Sequence, residues 1–116
     1  MTHIQRRVAA VLGASMLFGV GISYNHRAAS ASTDAAISID NFTFKPASIT
    51  VPPGTRVVWT NHDDIPHQVV GASDPRTLKS PPLDTNDSFA FTFAKAGTYK
   101  YFCGMHPMMQ GTIVVQ

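Results

Sequence analysis

The chain has 116 residues, room for one domain, with nine Lys and Arg against seven acidic residues, all of them Asp, and a single cysteine. Arg6, Arg7 and Arg27 precede residue 32, so the rest of the chain holds six basic against seven acidic groups. That near-balance leaves no basic patch and argues against nucleic acid as a partner, and one cysteine excludes an internal disulfide framework.

The opening MTHIQRR is a positive segment, followed by an apolar run of 15 residues from Val8 to Ile22 that contains three glycines. A polar tail then supplies Ala29-Ser30-Ala31, small residues at the spacing an export peptidase needs. This layout predicts a signal peptide over 1–31 and a folded domain over 32–116. The apolar run is short against the ~20 residues of a spanning helix. A retained anchor is the alternative, and membrane contact is expected only in that case. Export implies an oxidising compartment, where a lone thiol is a liability unless it is buried, paired between chains or holding a metal.

Residues 23–35 are small and polar and read as a lead-in. From Ala36 onward the texture is short strands. Ile37-Ser38-Ile39 alternates, as does Phe42-Thr43-Phe44, and Ser48–Val51 runs into the turn Pro52-Pro53-Gly54. Thr55–Thr60 is β-branched and aromatic, with Val57, Trp59 and Asn61 on one face and Arg56, Val58 and Thr60 on the other. Residues 71–87 carry three prolines and form a long loop. Phe89, Phe91 and Phe93 give the next strand one apolar face, and Thr98–Phe102 and Gly111–Val115 complete the set. Seven or so strands without a sustained 3.6 period predict an all-β sandwich or barrel.

The chemistry sits in Cys103-Gly104-Met105-His106-Pro107-Met108-Met109. A thiol, an imidazole three residues on and a thioether six residues on share one loop between two strands, stiffened by Pro107 and eased by Gly104. One thiolate, imidazole and a weak thioether suit copper in both oxidation states, and a trigonal site needs a second histidine. His67, after Pro66 and before Gln68-Val69-Val70, is the candidate. His62 competes, but a histidine in the acidic turn Asn61-His62-Asp63-Asp64 reads more simply as a solvated surface residue.

The Cys-x-x-His-Pro-x-Met loop resembles that of the amicyanin-like blue copper proteins, in the plastocyanin/amicyanin branch of the cupredoxins. Gly97–Cys103 is similar to the family's strand into the copper cysteine. Trp59-Thr60-Asn61 followed by Pro66-His67 is similar to its approach to the first histidine. The resemblance spans about residues 36–116. It implies a Greek-key β-sandwich of eight or so strands holding one type 1 copper per chain. It also implies His67, Cys103 and His106 as equatorial ligands, and Met109 as the axial one in preference to Met108. The family usually has asparagine after the first histidine, tethering the cysteine loop. This chain has Gln68, whose extra methylene is expected to loosen that link.

What the resemblance implies for function is a one-electron carrier, monomeric and periplasmic. Its redox partners would be a c-type cytochrome, a dehydrogenase or a copper reductase, docking briefly around Met105, His106, Pro107 and Met108. The alternative is an exported protein for copper trafficking or tolerance, suggested by three methionines in one loop. An enzyme is not expected, because copper oxidases and nitrite reductases built from such domains need a second copper site between domains.

Overall fold

The computed structural model describes residues 34–116. The expected signal peptide over 1–31 lies outside the described residues. Eight strands run in chain order: β1 Asp34–Asp40, β2 Thr43–Lys45, β3 Ser48–Val51, β4 Thr55–Asn61, β5 Val70–Gly71, β6 Ser88–Phe93, β7 Gly97–Cys103 and β8 His106–Val115. They form two four-stranded sheets, ordered β2-β1-β4-β6 and β3-β8-β7-β5. The expected all-β sandwich is the observed architecture.

Alternation places the core as the sequence predicts. In β4, Thr55, Val57, Trp59 and Asn61 are buried, while Arg56 is exposed. Their antiparallel partners on β6 are Phe93, Phe91 and Phe89, facing Thr55, Val57 and Trp59 in turn. Only Phe93 is fully buried, because β6 is the edge of its sheet and the other two phenylalanines are half-covered. Tyr101 reaches across from β7, edge-on to Trp59 at 5.4 Å and to Phe44 at 4.7 Å, and these rings knit the two layers. Burial pushes the Tyr101 hydroxyl up to about 12, against a small opposing contribution from the neighbouring Trp59 indole.

Strand direction decides which loops meet. β1 and β4 run parallel, with Ile37 beside Trp59 and Ile39 beside Asn61, so both end at the same rim of the sandwich. β6 starts there, antiparallel to β4, and in the other sheet β7 ends where β5 and β8 begin. The segments 41–42, 62–69, 83–87 and 103–109 therefore converge on one rim although they are far apart in sequence.

Several boundaries differ from the sequence reading, and β1 already begins at Asp34, inside the expected lead-in. Phe42 is not a strand residue. Asn41 and Phe42 are a two-residue turn between β1 and β2, both left-handed with φ of 52° and 56°. β8 begins at His106 rather than Gly111, because His106 pairs with Cys103 across a tight hairpin.

Gly111 faces Tyr101 across the β7–β8 ladder, and a Cβ there would lie 2.2 Å from the ring carbon Cζ and 2.3 Å from the hydroxyl oxygen. Gly111→Ala is therefore expected to lever Tyr101 out of the core and to cost about 1–3 kcal/mol, the range of overpacked sites, read by thermal unfolding.

Candidate metal centre

The side chain of Asn61 shapes the loop that leaves β4. Fully buried, it donates from its amide to the carbonyls of Ile65 and Leu83, both at 2.8 Å, and its oxygen accepts the Asp63 N–H at 2.9 Å. That last bond is the side-chain mimic of a backbone turn, and it reverses the chain at Asp63. Past Pro66 the chain re-enters the interior. His67 pairs with Leu83 in both directions, its N–H to the Leu83 carbonyl at 3.1 Å and the Leu83 N–H to its carbonyl at 2.7 Å. The ring arrives fully buried.

Cys103 and His106 come from the other sheet. They oppose each other around Gly104-Met105, yet the preceding Phe102 opposes Gln110. Pro107, Met108 and Met109 are thus extra residues on β8, a bulge at a position where proline has no N–H to offer the ladder. Met108 is left 93% exposed while Met109 is only 6% exposed.

The result is a cluster of three donors within 4.8 Å of one another: one nitrogen each of His67 and His106, and the Cys103 sulfur. Sγ stands 3.8 Å from His67 Nδ1 and 3.7 Å from His106 Nδ1. Cys103 and His67 are buried and His106 is half-buried, so the cluster meets solvent on the His106 side. His62 is exposed and stays outside the group; its N–H donates to the Ile39 carbonyl at 2.8 Å.

Gln68, expected to loosen the link to the cysteine loop, sends its side-chain hydrogen bond elsewhere. Its backbone N–H donates to the Cys103 sulfur at 3.3 Å, and its side-chain amide donates to the Ser80 carbonyl at 2.8 Å. The side-chain oxygen occupies the space above Gly104, 2.3 Å from where a Cβ would stand. The longer side chain and the missing one at 104 therefore fit each other, and Gln68 ties the 80s loop to the cysteine turn by packing.

Two residues that sequence reasoning passed over belong to the site. The Asp63 carboxylate accepts the N–H groups of Asn41 at 2.7 Å and Phe42 at 2.9 Å, and its Oδ2 also lies 2.7 Å from His67 Nε2. Burial pushes this carboxyl up, but the Phe42 and Asn41 N–H groups and the His67 ring outweigh it and hold it below the ordinary value. An ionised carboxylate only accepts, so Nε2 carries a proton toward Asp63, and in a neutral imidazole Nδ1 is then the bare nitrogen facing the sulfur. Phe42 stands edge-on to both imidazoles, at 5.3 Å from His67 and 5.2 Å from His106. Asp63 sits four residues before His67, which was a usable signal. Phe42 had none, since its neighbours on the rim are remote in sequence.

A thiol and two imidazoles brought together at the end of a β-sandwich, with a buried thioether on the same loop, define a copper-binding sandwich protein, and this donor chemistry fits copper. Residues 12–115 match the cupredoxin-like domain family. The chain is 34% identical to amicyanin of Paracoccus denitrificans over 94 residues, 77% of this chain and 72% of the relative. It is 37% identical to plastocyanin of Scenedesmus fuscus over 84 residues, 63% of this chain and 86% of that one. Among solved structures, a purple cupredoxin from Nitrosopumilus maritimus superposes with a TM-score of 0.67 at 35% identity, covering 72% of this chain and all of the other. A Cu(I) form of an amicyanin variant gives a TM-score of 0.67 at 28% identity, covering 72% of this chain and 82% of that one. The chain belongs to the cupredoxin-like family, as an amicyanin- and plastocyanin-like blue copper protein. Its cofactor is copper, and it is a type 1 copper electron carrier rather than an enzyme.

A methyl group at 104 would displace the Gln68 oxygen and strain its bond to Ser80. Gly104→Ala is expected to cost about 1 kcal/mol, roughly one hydrogen bond. The cost should shrink when Gln68→Asn is added. A double-mutant cycle in thermal unfolding reads the coupling.

Proposed function

We propose that His67, Cys103 and His106 hold copper equatorially, with Met109 as the axial donor, and that electrons leave by the exposed edge of His106 to a transiently docked protein. Copper, when bound, supplies the one-electron couple. The residues supply the rest. Burial of His67 and Cys103 keeps water from two of the three donors, and the short hairpin limits how far the third can move between oxidation states. The burial of Met109 against the exposure of Met108 supports Met109 as the axial donor.

The observation that carries the docking reading is the position of the exposed large hydrophobic residues. Among the described residues these are Phe42, Met105 and Met108, and all three lie at the donor end. Phe42, His106, Pro107, Met108 and Met109 line a shallow apolar hollow there. From Tyr101 to Gln116 the chain carries no Asp, Glu, Lys or Arg. Such an uncharged loop, with exposed Asp64, Asp84 and Asp87 on the other segments of the same rim, suits a brief contact with an apolar patch on a redox partner, at the small end of interface sizes. A c-type cytochrome, a dehydrogenase or a copper reductase could each present such a patch. We assign the protein to the periplasm as a monomer, exported by the segment over 1–31, with residues 32–116 as the mature domain.

Loaded with Cu(II), the domain is expected to show an intense band near ~600 nm that Cys103→Ala abolishes, the mark of thiolate-copper bonding. A colourless protein that still binds Cu(I) tightly would reject the electron carrier in favour of copper trafficking. Met105→Glu places a charge on the apolar face. It is expected to slow reduction by a protein partner while leaving the visible spectrum nearly intact, as stopped-flow mixing would read.

A further inference from the structure

The Asn41-Phe42 turn is built against its own sequence preference. A two-residue hairpin turn with both residues left-handed favours Asn-Gly, because a side chain on the second residue crowds the backbone. Here the second residue is Phe42 at φ 56°, half-exposed, with its ring edge-on to both donor imidazoles. Strain of this kind persists only where the surroundings hold it. What holds it is one carboxylate. Asp63 binds the two turn N–H groups, and the same group lies against the Nε2 of the buried His67. With its side chain only 13% exposed, it is largely shielded from competing water.

We propose that Asp63 and Phe42 act together as a strap on the metal centre. Asp63 is a positioning residue that sets the His67 tautomer and holds the turn. Phe42 is the cover that the turn lays over the two imidazoles, limiting the access of water and competing ligands to the donors. This rests on the reading of His67 and His106 as copper donors. It adds to the cysteine loop a second segment, from the opposite sheet, that governs how firmly the metal is kept. A negative charge behind His67 also favours the more highly charged Cu(II) state.

The two halves separate experimentally. Phe42→Gly installs the preferred turn residue, so the metal-free protein is expected to unfold at the same temperature or higher. The copper-loaded protein should nevertheless lose metal to a chelator about tenfold faster, as expected for a breached apolar shell. Release at the unaltered rate would overturn the cover. In the metal-free protein, Asp63→Ala should speed hydrogen exchange at the Asn41 and Phe42 amides by at least about tenfold, and should let the His67 proton divide between its two nitrogens, as ring nitrogen-15 shifts would show. If that variant fails to fold, Asp63→Asn leaves one acceptor oxygen for three donors and should show the same changes in smaller degree. It should also move the Cu(I)/Cu(II) balance toward Cu(I) by about tenfold, or ~59 mV. Protected turn amides and a single unchanged tautomer in the folded variants would overturn the strap. These two readouts need no metal, so they stand apart from a missing thiolate-copper band, which would remove the copper reading itself.

Discussion

One buried amide, Asn61, sets the arrangement on which the donor end depends. Its three hydrogen bonds reverse the chain after β4, anchor the loop that leads back to β6, and bring Asp63 and His67 into position. A buried amide left unpaired costs free energy, so the loops on either side are held to the geometry that satisfies it. The barrier to rearrangement is in the polar network, and the aromatic core supplies the platform beneath it. Trp59, two residues earlier on the same face of β4, packs between the sheets. The step from core to site is therefore a step of two residues along one strand.

The donors come from both sheets. His67 hangs between β4 and β5, and Cys103 and His106 close the β7–β8 hairpin. His67 is held by the two-way backbone pairing with Leu83, and Cys103 by the cross-strand pairing with His106 and, at its sulfur, by the N–H of Gln68. Side chains fixed from several directions would resist the rearrangement that a change of charge on a bound copper would otherwise drive. That resistance is what a carrier of single electrons requires. Phe42 of the β1–β2 turn stands edge-on to both imidazoles, so separate loops of the chain contribute to one small volume.

Much of this was legible in the sequence. Alternation in Thr55–Thr60 and in Phe89–Phe93 named the buried faces, because side chains on a strand change sides at every residue. The cysteine loop announced Cys103 and His106 because they are close in sequence, and the fold brings the two together. His67 was separable from His62 by local context alone, one histidine beside a proline at a strand entrance and the other among aspartates. The sequence misled where local pattern and tertiary role diverge. Phe42-Thr43-Phe44 looks like an alternating strand, yet Phe42 is a turn residue, because β1 must reverse there to pair with β2. Nor did the sequence show that the Gln68 side chain would bond the Ser80 carbonyl and pack into the space that Gly104 leaves open.

By itself, then, the sequence determined the β-sandwich class, the core faces and, through its resemblance to the cupredoxins, copper as the cofactor, and it named His67, Cys103 and His106, which the fold draws together. The first two rest on the period of a strand; Cys103 and His106 are close in sequence, whereas His67 stands 36 residues before Cys103 and was named by its own local context. Tertiary structure alone decided that Asp63 would hold His67 and the Asn41-Phe42 turn, that Met109 would be buried while Met108 is exposed, and that Phe42 would join the exposed methionines at one rim. Those outcomes depend on β1 running parallel to β4 and on a bulge in β8. Strand direction and register are set by which packing buries the most apolar surface while satisfying the backbone, and no local window of the chain contains that comparison.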